Sequence, residues 1–273
     1  FRRVLFRSCA DVASFAEACA GMLEEHVSLG AKGLKVLKEV GLMHHDAAGD
    51  LINIDDEALS PVWDAAGDLG VPVLIHQSDP YGFFEPVEPY NEHYETLSKF
   101  PSWSFADPRF PGKRELLERR DRMIARHPNT TFILPHVANF AEDLGYVSRL
   151  LDEHANVLID FSARLDELGR QPYTSRELFL RHHDRILFGT DMPANLPDSP
   201  AMYRCYFRFL ETCDEGFYPP DYDGTFDRAR WTICGIGLPD DVLADIYYRN
   251  VLRLIPSLRD LYEPRHARQE EQT

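Results

Sequence analysis

The sequence lacks several patterns that mark common kinds of protein. It contains no GxSxG, GxxxxGK[ST], GxGxxG or HExxH motif, which disfavours serine-hydrolase, nucleotide-triphosphatase, dinucleotide-binding and zinc-protease functions. Its five cysteines form no CxxC pair and are odd in number, which argues against a disulfide framework and favours a reducing compartment. No apolar run approaches the roughly 20 residues of a membrane span. We therefore expect a cytoplasmic protein without a membrane segment.

Basic residues are also scarce. There are 29 Lys and Arg against 45 Asp and Glu, so the formal net charge is −16. Phosphate backbones bind clusters of Lys and Arg, and this balance disfavours a nucleic-acid partner. A small-molecule substrate is the partner that we expect. The 273 residues, of which 44% are hydrophobic, suffice for one large α/β barrel or two small domains.

Three short apolar segments each end in a residue that can bind a metal or move a proton. VPVLIH ends at His76, TFILPH at His136, and RILFGTD at Asp191. Segments that are apolar at nearly every position are typical of parallel strands covered on both faces, and the carboxyl ends of such strands meet at one end of a barrel. A single His or Asp in such a place is commonly structural, but three together favour a site. Two imidazoles and a carboxylate suit zinc, manganese or cobalt.

Strand and helix patterns alternate along the chain, which predicts an α/β fold with a parallel sheet. We predict five strand-then-helix units, with strands at 33–37, 71–76, 131–136, 156–160 and 186–190. A TIM-like (β/α)8 barrel needs three more strands, and no segment before residue 30 can supply them. We therefore expect a partial barrel in which about the first three strands are missing from this chain.

The domain organisation follows from the same patterns. Residues 1–8 fit neither a signal peptide nor the helix that follows, so we interpret them as a non-native junction. Residues 9–262 form the predicted barrel domain, and residues 263–273 form a frayed tail. Within the barrel, residues 77–112 are rich in proline and aromatics. A loop of this length is usually either functional or disordered, and the aromatics favour an ordered lid.

Three basic residues are candidates for substrate binding. Lys35 lies in the middle of the first predicted strand, where it either pairs with a buried carboxylate or extends from a sheet edge. Arg164 and Arg170 follow the strand NVLID, where they either clamp a substrate carboxylate or form structural salt bridges.

The segments GLKVLKEVGL, VPVLIHQSDP, HPNTTFILPHVAN, NVLIDFSARLDELGRQP and DRILFGTDMP resemble the amidohydrolase-related metal-dependent hydrolases, in the branch that includes aminocarboxymuconate-semialdehyde decarboxylase-like proteins. This resemblance implies a distorted (β/α)8 barrel with one divalent metal, usually zinc. It implies that His76 and Asp191 bind the metal, and that Asp191 also helps to activate water. His136 would be an acid–base or polarising group and a further candidate ligand, and Lys35 a substrate contact.

This sequence departs from the family pattern at the metal ligands. Members of this family carry an HxH pair on the first strand that supplies two metal ligands, and this sequence contains no HxH. We therefore expect the parent protein to be an enzyme and this chain to bind metal poorly, with an inactive fragment as an alternative.

Three alternative functions are compatible with these residues. The first is hydrolysis of an ester, lactone or amide by a metal-activated water, with Asp191 taking up the proton and His136 stabilising the oxyanion. The alternative is metal-dependent, non-oxidative decarboxylation at the same residues. The third is a non-catalytic barrel or inactive fragment. A homodimer is the default expectation for the oligomeric state.

Overall fold

The computed structural model describes residues 11–192, 200–219, 230–260 and 262. The predicted junction (1–8) and tail (263–273) lie outside this part of the chain. The strands are β1 (Leu34–Val36), β2 (Val73–Ile75), β3 (Phe132–Leu134), β4 (Val157–Asp160) and β5 (Ile186–Leu187). Each strand lies within one of the five predicted ranges.

All five strands form one parallel sheet, with the neighbours in sequence order from β1 to β5. Helical segments connect consecutive strands, as in the winding of a barrel. The predicted α/β fold of the TIM-barrel class is confirmed, and the described residues supply five consecutive strand-then-helix units. Among them, β1 and β5 are the edges of the sheet.

Helices of five or more residues lie before, between and after the strands. They are Val12–Ser28, Ser60–Asp68, Tyr94–Lys99, Lys113–Arg126, Leu144–Glu153, Leu165–Gly169, Pro172–Arg181, Pro200–Glu211, Asp240–Ala244 and Asn250–Leu254. A π-helical segment, Asp245–Arg249, joins the last two helices into one continuous element. The first helix begins where the carboxylate of Asp11 accepts hydrogen bonds from two backbone amides, as an N-cap residue should.

The main core lies between the sheet and these helices. Val73 and Ile75 of β2 and all three residues of β3 are buried, which explains why the strand sequences are apolar without alternation. Aromatic rings fill the layer beside β4, where Phe161 lies 5.3 Å from Phe179 and 5.6 Å from Tyr206 between ring centroids. This packing gives the strand ends a fixed platform.

Residues 77–112 form a second, smaller apolar cluster. The segment contains three short helical elements: Tyr81–Phe84, Tyr94–Lys99 and Pro101–Trp103. Its buried side chains pack with residues on either side of it. The cluster consists of Leu42, Phe83, Leu97, Phe105 and Leu116. The segment is thus ordered, and its role as a lid stays a prediction.

Two further expectations concern the described residues. None of the helices there has both the length and the apolar character needed to cross a membrane. The cysteines in that part, Cys19, Cys205, Cys213 and Cys234, are free thiols.

Candidate metal and acid–base site

The three predicted site residues meet at the carboxyl end of the sheet. His76 follows β2, His136 follows β3, and Asp191 follows β5. The rings of His76 and His136 lie 4.7 Å apart between centroids, at an interplanar angle of 64°. Nε2 of His136 lies 4.0 Å from Oδ2 of Asp191. The parallel strands therefore bring together two imidazoles and a carboxylate that are 60 and 55 residues apart along the chain.

His136 begins a left-handed turn. His136, Val137, Ala138 and Asn139 have φ values of 59°, 56°, 53° and 57°. Residues other than glycine normally visit this region singly, because Cβ comes too close to the following carbonyl oxygen. Asp191, at the end of the next strand but one, has a φ of 60°. Each such residue costs about 1–3 kcal/mol, and this kind of strain clusters at functional sites.

Asp160, at the end of β4, anchors the start of this turn. Its Oδ1 accepts hydrogen bonds from the backbone amide of His136 at 3.1 Å, and from the amide and hydroxyl of Ser162 at 3.0 and 2.6 Å. Burial raises the pKa of Asp160, and these hydrogen bonds oppose that effect. The carboxylate therefore acts as a structural acceptor that fixes where the His136 backbone lies.

A buried arginine holds the other end of the turn. Arg120 is fully buried, and its Nη1 donates to the carbonyl oxygen of Ala138 at 2.6 Å. The rest of its guanidinium contacts Oδ1 of Asp121, at 3.0 and 2.8 Å, and the hydroxyl of Tyr146, at 2.8 Å. The strained backbone is thus held by charged groups from the neighbouring helix Lys113–Arg126.

The hydrogen bonds of His136 define its tautomer. Nδ1 lies 2.8 Å from the carbonyl oxygen of Ser162, which can only accept, so Nδ1 carries the proton. Burial lowers the pKa of His136 well below its ordinary value, and the nearby charges of Arg164 and His76 add to this effect. The imidazole is therefore neutral, and its unprotonated Nε2 faces Asp191. A nitrogen in this state can bind a metal or accept a proton.

A second carboxylate, Asp79, orients His76. Its Oδ1 lies 3.3 Å from Nε2 of His76, and its other oxygen pairs with Nζ of Lys38. Nζ of Lys113 donates to the backbone carbonyl of Asp79 at 2.6 Å. Burial alone would raise the pKa of Asp79, but the hydrogen bond from His76 and the charge of Lys38 lower it below its ordinary value.

Sequence reasoning missed Asp79, Lys38 and Lys113. The one local signal was the position of Asp79, three residues after His76, where a carboxylate can reach the same imidazole. The two lysines are 41 and 34 residues from Asp79 along the chain, and only the folded sheet brings them together.

Lys35 is half-buried in β1. Burial lowers its pKa, while the carboxylates of Asp191 and Asp160 oppose that effect. Lys35 thus lies within electrostatic reach of two carboxylates and also on an edge strand of the described sheet, so both alternatives drawn from the sequence stay predictions.

The two predicted arginines have different surroundings. Arg164 is half-buried, and its charge lowers the pKa of His136, so it lies within electrostatic reach of the site. Arg170 donates to Oε2 of Glu92 at 2.6 Å and stacks on the ring of Trp231 at 4.4 Å. The structure therefore gives Arg170 the salt bridge that the sequence left as an alternative, and its binding of substrate stays a prediction.

The side chains of His76, His136 and Asp191 have the donor chemistry that a divalent ion requires. In the described ranges, however, no three or more His, Cys, Asp or Glu side chains already surround a common metal position. Nε2 of His76 faces Asp79, and the side chain of Asp191 is 60% exposed. The donors thus fit a metal chemically but form an incomplete set, in agreement with the absence of an HxH pair.

The family is established by comparison with known proteins. The Amidohydrolase family model (Amidohydro_2) matches residues 2–256, and the chain belongs to this family. No curated protein matches the chain.

Several solved structures share the fold. One is a dihydroxybenzoic acid decarboxylase from Polaromonas sp. JS666, solved with manganese and the inhibitor 2-nitroresorcinol (TM-score 0.54, 16% identity, 89% of this chain and 66% of that chain). Another is 2,6-dihydroxybenzoate decarboxylase from Rhizobium (TM-score 0.54, 17% identity, 88% of this chain and 68% of that one). A third is 5-carboxyvanillate decarboxylase from Sphingomonas paucimobilis (TM-score 0.50, 16% identity, 89% and 64%). The chain spans about two thirds of the length of these enzymes.

Proposed function

We propose that the protein is a divalent-metal-dependent decarboxylase of a small, carboxylated, ring-containing substrate. The observation that supports this most directly is the neutral His136 beside Asp191, with the cationic Lys35 and Arg164 within electrostatic reach. Cationic groups at the mouth of the sheet favour an anionic substrate. The decarboxylases that share the fold act on, or are inhibited by, small substituted rings, which agrees with this substrate class.

His76 and Asp191 would hold the metal, with His136 as a further candidate ligand. When bound, a divalent ion supplies Lewis-acid polarisation of a substrate oxygen. Lys35 and Arg164 would hold the carboxylate of the substrate in place, Arg164 through its planar guanidinium.

The remaining chemistry is a proton transfer to carbon. The bond between the ring and the carboxylate breaks, carbon dioxide leaves, and the ring carbon keeps the electron pair and takes a proton. His136 can deliver that proton only after its Nε2 has received one. That proton comes from solvent, on the side where Asp191 lies 4.0 Å from Nε2 and is exposed.

Hydrolysis is the second candidate, and the family description favours it. In that reaction Asp191 would take the proton of the attacking water. Both routes require a proton on Nε2 of His136, whereas here Nδ1 carries it, so the tautomer does not separate the two reactions.

The two reactions are separated by their products. The chain would be incubated with manganese or zinc in large excess, because we expect it to bind metal weakly, and with either 2,6-dihydroxybenzoate or an aryl ester. Released carbon dioxide and liberated acid would be measured. We expect carbon dioxide in proportion to the benzoate consumed, and none from His136→Asn or Asp191→Asn. His127→Asn is the matched control, because His127 is a buried histidine that pairs with Asp64 at the opposite end of β3. Ester cleavage without carbon dioxide release would instead establish the hydrolase.

A further inference from the structure

A polar cluster separate from the candidate active site consists of Glu92, His93 and Glu167. It joins the segment 77–112 to the helix Leu165–Gly169. The side chain of Glu167 is only 3% exposed, yet its Oε2 has no hydrogen-bond partner in the described part of the chain. The same is true of Nε2 of His93, which is also buried. Nε2 of His93 lies 3.9 Å from Oε1 of Glu167 and 3.6 Å from Oε1 of Glu92. These distances are too long for direct hydrogen bonds.

Buried polar atoms in native proteins are nearly always paired, so two unpaired atoms on neighbouring side chains indicate a place for a third group. The charges around the cluster restrict what that group can be. Glu92 is already neutralised by Arg170, at 2.6 Å. Burial lowers the pKa of His93 to about 4, which leaves its imidazole neutral at neutral pH, and burial raises the pKa of Glu167.

A hydroxyl group meets these requirements. It can donate its single hydrogen to a carboxylate oxygen while accepting a hydrogen bond from the Nε2–H of a neutral imidazole. A second carboxylate would meet Glu92 and Glu167, and an ammonium group would lie near Arg164 and Arg170, whose charges lower the pKa of His93. The ring of Phe83 lies edge-on to that of His93, at 5.1 Å, so an aromatic ring carrying the hydroxyl would also find an apolar wall.

The positive charge of Arg164 acts on both the cluster and the candidate active site. The charge of Arg164 lowers the pKa of both His136 and His93, so this arginine lies within reach of both. A substrate whose carboxylate is held at Arg164 would extend its ring toward Glu167. We propose that Glu167 and His93 form a subsite that binds a ring hydroxyl group of the substrate. The placement of the substrate carboxylate at Arg164 rests on the proposed function, whereas the placement of the hydroxyl group rests on Glu167 and His93 alone.

The test compares ligands that differ in one hydroxyl group. Calorimetry would measure the binding of benzoate and of its 2-, 3- and 4-hydroxy derivatives to the wild-type chain, Glu167→Leu and Glu167→Gln. At least one hydroxybenzoate should bind about tenfold more tightly than benzoate, which corresponds to about 1.4 kcal/mol. Glu167→Leu should abolish that preference and leave benzoate binding unchanged, whereas Glu167→Gln, which keeps a side-chain acceptor, should retain part of it. If Glu167→Leu prefers the hydroxybenzoate over benzoate as strongly as the wild-type chain does, the proposed subsite is wrong.

Phenol separates this proposal from the proposed function, because it carries the hydroxyl without the carboxylate. In wild-type chain labelled with ¹⁵N-histidine, phenol should shift the Nε2 resonance of His93, whereas toluene should not. If phenol leaves that resonance unchanged, the subsite is excluded, whatever benzoate does. If phenol shifts it but no benzoate binds, the carboxylate site fails and the hydroxyl subsite stands. His182, a buried histidine bonded to Ser148 in the outer layer, is the control resonance and should not move.

Discussion

At the scale of single residues, the buried His136 and the half-buried His93 differ in the contacts that hold their rings. His136 is bonded through Nδ1 to a backbone carbonyl, so the fold determines which nitrogen can react. His93 has its Nε2 buried without a hydrogen bond from the described residues. Both were visible in the sequence, but only His136 ends an apolar strand, so only His136 could be assigned from the pattern. The environment of His93 depends on Glu167, which is 74 residues away along the chain.

The neutral state of His93 predicts a dependence of stability on pH. Its pKa in the fold is about 4, against an ordinary value of 6.5. Between these values the unfolded chain binds a proton that the folded chain does not, so the free energy of unfolding falls as pH falls from 6.5 to 4. The slope contributed by one such group is at most about 1.4 kcal/mol per pH unit. Urea unfolding at several pH values should show a shallower slope in His93→Phe, and an unchanged slope would contradict the assignment.

At the scale of elements, the strands were predictable and the turn after β3 was not. Runs of β-branched and aliphatic residues located each strand, because parallel strands are buried on both faces. The turn at residues 136–139 contains no glycine and only one asparagine, so no local signal for left-handed backbone was present. That conformation is imposed from outside by Asp160 and Arg120, which come from another strand and a helix.

Removal of Arg120 should therefore destabilise the fold and disturb the site together. Arg120→Met leaves the carbonyl of Ala138 without its side-chain donor and removes the guanidinium from Asp121, which keeps the hydrogen bond from the hydroxyl of Tyr146. Loss of one partner in a buried charged network costs about 3–5 kcal/mol. The control is Arg119→Met on the same helix, whose partly exposed side chain pairs with Asp55 and Glu115 and should cost less than about 1 kcal/mol. If Arg120→Met and Arg119→Met lose the same free energy of unfolding in chemical denaturation, Arg120 does not support the turn.

At the scale of the whole molecule, the described strands and the donor set are both partial. Five strands form the sheet, and His76, His136 and Asp191 offer the donors for a metal, while the sequence has no HxH pair. The order of the strands and their chemical endings could be predicted from the sequence. The tautomer of His136 and the pairing of Asp79 with two lysines could not, because they depend on packing between distant segments.

This partial donor set predicts weak metal binding by the chain. With about 1 mM manganese, the free energy of unfolding should rise by less than about 1 kcal/mol, since a rise near 2.7 kcal/mol requires metal at about 100 times its dissociation constant. His76→Ala and Asp191→Ala should abolish the rise, and His127→Ala should keep it. A large rise that persists in the first two variants would place the metal elsewhere. Elemental analysis of the wild-type chain and of each variant would measure the metal that each one binds.

The separate apolar cluster of the segment 77–112 has a consequence for the order in which the molecule opens. Its buried side chains form a group distinct from the main core, so the segment can unfold locally while the sheet stays folded. Amide hydrogen exchange should therefore divide the protein into two classes: rapid exchange over residues 77–112, and slow exchange over β2, β3 and β4. His93 would then belong to the fast class and His136 to the slow one. A ligand that bridges the two histidines would slow exchange across the segment and leave the strands unaffected.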